Sequence, residues 1–255
     1  MVMSVDRHLW DDIKSQRQFD ILDYQNVLSF DNSKINGQAA LYGFQVGTSF
    51  DVLAGETCPA ANECKARVII KLLEGKEVRR VEKGENALYT CFEAAAEARW
   101  GNVYEMHKRN TDFVRNTTRT NFVQILKTQI WNSGSTLHRW HSSGDWENFE
   151  QFKWAYQVSK EMPHVYFYAY TKRASFVNWY LKNQLPNMDM VYSIGGTEDK
   201  TGIKYNLPSA SVITDKKYKF AKVTDEGLPI ACQQDNKYND LEFIRRQENF
   251  GLFVH

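Results

Sequence analysis

No run of about 20 apolar residues occurs in this sequence, so nothing in it reads as a membrane-crossing helix. The first residues, Met1 to Gln16, carry charges and no apolar signal region, which sets the expectation of a cytoplasmic protein. Neither sign of charge is in excess. Lysine and arginine number 32 against 31 acids, a balance that does not support a strongly basic nucleic-acid binder, local patches aside. No glycine-rich phosphate loop precedes the helix candidate at Phe92, so nucleotide binding of the P-loop kind finds no support. Internal repeats, low-complexity tracts and linkers are also missing. What remains is ample core material: hydrophobic residues make up 42% of 255, enough for one large α/β domain.

Cysteine is scarce, and its placement is informative. There are four: Cys58 and Cys64 on a loop opened by Gly55 and Pro59, then Cys91, then Cys232 near the C-terminus. In a reducing compartment, grouped cysteines signal metal more often than disulfides. Thiolates select zinc, iron–sulfur clusters or copper(I). Structural zinc usually takes cysteines two to four residues apart, whereas Cys58 and Cys64 have five residues between them and the other two stand alone. Iron–sulfur sites accept wider and more scattered spacing. The leading expectation is one [4Fe–4S] cluster held by Cys58, Cys64, Cys91 and Cys232. Zinc, and four ordinary buried thiols packed as small hydrophobes, stay open as alternatives.

The pattern along the chain divides into an N-terminal extension (1–35), a cysteine loop with a helical part (36–135), and an alternating strand/helix part (136–255). Asp31 to Ile35 reads as a polar turn and Ala40 to Gly47 as a buried strand. Lys65 to Leu73 is a short helix or strand. Glu74 to Asn86 is charged and reads as a solvated hairpin or loop. Phe92 to Arg99 is alanine-rich and helical, with more helix over Val103 to Trp131. Then strands and helices alternate. Strands are expected at Thr136 to His141, His164 to Tyr170, Met190 to Ile194, Ala210 to Thr214 and Ile230–Ala231. Helices are expected at Glu147 to Glu161, capped by Asp145, and at Ala174 to Asn183. This alternation implies parallel pairing through crossovers. The expected fold is a single-domain α/β protein, an incomplete (β/α) barrel of about six mostly parallel strands.

In such folds the C-terminal ends of the strands form the working face. The residues there are chemically rich: His141, Ser143, Asp145, Tyr170 and Lys172 are the candidate cofactor-binding residues, expected close to one another and to the cysteines. Each has a plainer reading. His141 would be a packing residue, Asp145 a helix cap, and Lys172 a side chain reaching out to solvent. No catalytic residue is assigned.

Several blocks carry a resemblance. Asn32-Ser33-Lys34, Gly55-x-x-Cys58-Pro59-Ala60-Ala61-x-x-Cys64 and Cys91-Phe92-Glu93-Ala94-Ala95 come first. Arg139-x-His141-x-Ser143-Gly144-Asp145, Phe167-Tyr168-Ala169-Tyr170-Thr171-Lys172 and Leu228-Pro229-Ile230-Ala231-Cys232 follow. In this order they resemble the phage gene-product-eighty-eight family. The resemblance implies a phage protein, acting in the host cytoplasm, whose biochemical role is poorly defined; the iron–sulfur reading gives it a redox, sensing or structural role, with no membrane partner and a host protein as a possible one. More distantly, the cysteine loop is similar to the cluster loop of radical S-adenosylmethionine enzymes. It departs from their C-x3-C-x2-C spacing, and Gly195-Gly196-Thr197 lacks the acid of their glycine motif. Two rival functions follow: a radical enzyme with a three-cysteine open cluster, and a zinc-stabilised module binding a host protein or nucleic acid.

Overall fold

The computed structural model describes residues 26–30, 32–215, 221–231 and 238–253. Strand β1 (Leu28–Ser29) is followed by helix α1 (Ser33–Leu41) and strand β2 (Gly47–Phe50). Next come the hairpin strands β3 (Ala66–Leu73) and β4 (Lys76–Lys83), then helices α2 (Phe92–Arg99), α3 (Gly101–Asn116) and α4 (Arg119–Asn132). The alternating part runs β5 (Leu137–Trp140), α5 (Phe149–Glu161), β6 (Tyr166–Thr171), α6 (Ala174–Tyr180), β7 (Met188–Ser193), α7 (Asp199–Lys204) and β8 (Ser209–Ile213). Strand β9 (Ile230–Ala231), helix α8 (Asp240–Arg245) and strand β10 (Phe250–Phe253) follow.

Eight strands form one sheet in the order β1-β2-β5-β6-β7-β8-β10-β9, and every pairing but β1 with β2 is parallel. Parallel neighbours need long crossovers, and the helices supply them. Because side chains alternate along a strand, each face collects its own core. Trp140, Phe167, Ala169, Met188 and Met190 pack with Leu126, Phe152 and Val177 of α4, α5 and α6. Leu137, Tyr168, Val191 and Phe250 point the other way, onto Ile35 and Ala39 of α1 and Leu241 and Ile244 of α8. The sheet is thus covered on both sides, as parallel sheets require. Its list of pairings ends at β1 and β9, and no pairing between those two strands occurs among the described residues.

Three local expectations change. The apolar run from Ala40 is not a strand: α1 occupies Ser33–Leu41, with the Asn32 side chain accepting from Lys34 N and Ile35 N. The supposed polar turn is therefore a helix start. The sheet strand here is the short, fully buried β2. Asp145 does not cap α5. Asn148 does, accepting from Gln151 N. The charged segment is a solvated hairpin as expected, with β4 paired along its length with β3. Strand β10 and helix α8 were not foreseen. Most of the N-terminal extension, and Cys232, lie outside the described residues.

Candidate functional site

The site is built on the loop that leaves β2. Its first residue, Asp51, is buried, and its carboxylate accepts from Ser29 Oγ (2.7 Å), Ser49 Oγ (2.6 Å), Ser142 N (2.6 Å) and Ser143 N (3.1 Å). Burial pushes its pKa up, but His107 and these donors outweigh burial and hold it below the usual carboxylate range. Asp51 thereby ties the loop after β2 to the loop after β5. Further on, Gly55 sits at φ +72, a backbone conformation that favours glycine.

Glu97 of α2 is the second anchor. It is fully buried, and its Oε1 accepts from Ala54 N (2.9 Å) and Ser143 Oγ (2.9 Å) and pairs with His107 Nδ1 (2.8 Å). Burial pulls the His107 pKa down. The Glu97 hydrogen bond and the charge of Asp51 reverse that and leave it above the ordinary value. One carboxylate thus joins the cysteine loop, α2, α3 and the loop after β5.

Three thiols lie between these anchors in the chain. Cys58, Cys64 and Cys91 are free and partly buried, and Cys91 stands at the N-terminus of α2. Burial, then Asp145, then Cys91 and Cys64 push the Cys58 thiol well up. Burial raises Cys91 to about 11, with Cys64 again contributing. The three sulfurs therefore sense one another across two separate segments. The loop that carries two of them is fastened to the segment after β7. Ala61 bridges Gly196, Thr197 N donates to Ala60 O (2.9 Å), and Glu63 N donates to Gly195 O (3.0 Å). Among the described residues, no group of three or more His, Cys, Asp or Glu side chains could hold a metal ion.

The polar candidates divide around this loop. Asp145 is buried and accepts from Trp146 N (2.8 Å), Thr171 Oγ1 (2.8 Å) and Lys172 N (3.0 Å). Burial raises it to about 6. His141 is buried at φ +58, its ring 5.0 Å from that of Trp146. Both its ring nitrogens lack a partner among the described residues, and burial lowers its pKa to about 4. His141 and Asp145 line one small cavity with Thr57, Thr111 and Gln151. Ser143 is spent on Glu97. Lys172 Nζ donates to Ile194 O (2.7 Å) and Ser193 Oγ (3.1 Å), so it closes the loop after β7 rather than reaching solvent. Tyr170 donates to Asp240 (2.5 Å), and its ring lies under the Arg139 guanidinium at 5.0 Å. Ser143 and Asp145 thus join the cysteine loop, while Tyr170 belongs to the face covered by α1 and α8.

Sequence reasoning missed Asp51, Glu97, His107 and Arg139. Spacing offered one signal: Glu93 and Glu97 lie four apart on a helix that opens with a cysteine, a repeat that puts both on one face. A constellation assembled from distant segments left no local mark.

Fold and pole together define a mixed α/β protein whose parallel sheet gathers thiols and buried carboxylates beyond its strand ends. Residues 25–249 match the family described as Gene product 88, and the chain belongs to that phage family. The match lends no support to the distant likeness to radical S-adenosylmethionine enzymes. No curated protein and no solved structure matches the chain. Among the described residues, no helix is long and apolar enough to cross a membrane.

Proposed function

We propose that this phage protein carries one [4Fe–4S] cluster at the C-terminal ends of its strands, in a sheet that curves as an incomplete (β/α) barrel. Cys58, Cys64 and Cys91 would be three of its ligands. Cys232, the residue after β9 and outside the described residues, would be the fourth. The observation that carries this reading is the mutual influence of three of the four cysteines, brought together from the loop after β2 and the start of α2. Size separates a cluster from a single ion. A zinc ion draws its sulfurs to about 2.3 Å, whereas a cluster places one thiolate on each of several iron corners. Cysteines spread over two segments, with five residues between Cys58 and Cys64, suit the wider spacing of a cluster. When bound, the cluster would supply one-electron redox chemistry or a crosslink between distant parts of the chain.

The protein's own residues prepare the place. Glu97 fixes the start of the cysteine loop against α2, Asp51 fixes the neighbouring loops, and the Gly195–Thr197 segment holds the loop's far side. The action would take place in the host cytoplasm. The test is anaerobic purification with a visible spectrum and iron and zinc assays on one sample. Brown protein with about four irons per chain, lost in Cys58→Ser, is the expected result. Colourless protein with no iron after reconstitution, or stoichiometric zinc, overturns it.

A further inference from the structure

We propose that Arg139 is the anchor for an anionic group, carboxylate or phosphate, of a small-molecule ligand that docks over Tyr168 and Tyr170. Arg139 sits in β5, in register between Ser49 of β2 and Tyr168 of β6. It shares its face of the sheet with Leu137 and Tyr168, the side covered by α1 and α8. Its guanidinium lies over two rings, those of Tyr170 (5.0 Å) and Tyr168 (5.9 Å). Stacking of this kind fixes the plane of the fork without using its donors.

Arg139 Nε is buried without a hydrogen-bond partner, and among the described residues no carboxylate ion-pairs with this side chain. The nearby groups that would serve are committed elsewhere. Tyr168 gives its hydroxyl to Gln38, Tyr170 gives its own to Asp240, and Asp240 is paired with Lys34 at 2.7 Å. Asp240 and Glu93 influence Arg139 only from a distance. The side chain is half-buried, with its Nε enclosed and left without a partner among the described residues. A planar fork held between aromatic rings is also the geometry that takes a carboxylate or phosphate through two parallel bonds.

Placement says what such a ligand would lie against. The acids that act on Arg139, Asp240 and Glu93, select against polyanions such as nucleic acid and favour a ligand with a single anionic end. The site does not depend on whether the thiols hold a cluster, so it is tested with and without iron.

The experiment is phenylglyoxal modification of the full chain, with the Arg139 adduct followed by mass spectrometry. It is run in inorganic phosphate, in succinate, and in chloride at equal ionic strength. Arg139 should react in chloride and at least tenfold more slowly in one or both of the other anions. Protection by phosphate alone assigns a phosphate ester, by succinate alone a carboxylate, and by both an unselective anion site. The thermal shift given by the protecting anion should vanish in Arg139→Gln and be weakened in Arg139→Lys, which keeps charge but loses the fork. An Arg139 that is unreactive in chloride, or that neither anion protects, overturns the proposal in either iron state.

Discussion

The Ser143 hydroxyl donates to Glu97 Oε1 at 2.9 Å, joining the loop after β5 to the helix that begins at Cys91. The same oxygen holds Ala54 N and faces His107 Nδ1, so it is the meeting point of four segments. Glu97→Ala would leave these groups buried without their acceptor, and we expect a loss of about 3–5 kcal/mol. Ser143→Ala removes one charge-assisted bond and should cost about 1.5–3 kcal/mol. Urea denaturation of both variants measures this. A Ser143→Ala loss indistinguishable from zero would show that the strut carries no weight.

Gly55 offers a sharper comparison. It lies at φ +72, and an added Cβ would overlap the carbonyl of Ala66. Gly134, at φ +68, has open space around the same position. Gly134→Ala should therefore cost only the backbone strain, about 1 kcal/mol. Gly55→Ala must also displace β3 from the cysteine loop and should cost more than twice that. Equal losses in thermal unfolding would mean that the loop yields and that Gly55 is not needed for close approach.

His141 predicts how stability responds to acid. Its folded pKa, about 4, lies below the ordinary 6.5, so the unfolded chain binds the proton first. Its contribution is present above pH 6.5 and is lost as pH falls toward 4. The slope from one such group is about 1.4 kcal/mol per pH unit. His141→Asn keeps a residue that tolerates positive φ and removes the titration. Asp145, raised to about 6, acts with the opposite sign and is unchanged in the variant. Denaturation between pH 4 and 6.5 should show a shallower loss in His141→Asn than in the parent. Parallel curves would assign the acid sensitivity to His138, which burial lowers to about 3.

Cys232 is tested by substitution. If it closes the cluster, Cys232→Ser lowers iron per chain, because serine is a harder and poorer ligand for iron. It should also expose 225–255 to limited proteolysis. Full iron with an unchanged digestion pattern would remove Cys232 from the ligand set and leave a three-thiol site.

The alternating half was legible because its strands are long, aromatic and bounded by turns, as in Tyr166–Thr171. The first half misled for physical reasons. Ala40 to Phe44 is apolar enough for a strand, yet Asn32 caps a helix that runs to Leu41, and Phe44 N returns to Ala39 O. The true strand, Gly47–Phe50, has one large apolar residue, and its burial comes from neighbours distant in sequence. Asp145 looked like a cap from its position. Its carboxylate is instead drawn to Thr171 and Lys172, groups that only the assembled sheet brings near. The cysteines stood out by rarity. Asp51, Glu97 and Arg139 did not, since charged residues are common and their burial is decided by tertiary contacts.

The bridge between Ala61 and Gly196 has a consequence in time. A ribosome releases Cys58 and Cys64 long before it releases the segment that pins their loop, and closing so distant a contact is slow. Through that interval the two thiols travel on an unfinished chain, open to oxidants and to stray metal. The loop takes its final shape only once β7 has joined the sheet. Under the cluster reading, loading would therefore be a late event, following completion of the sheet.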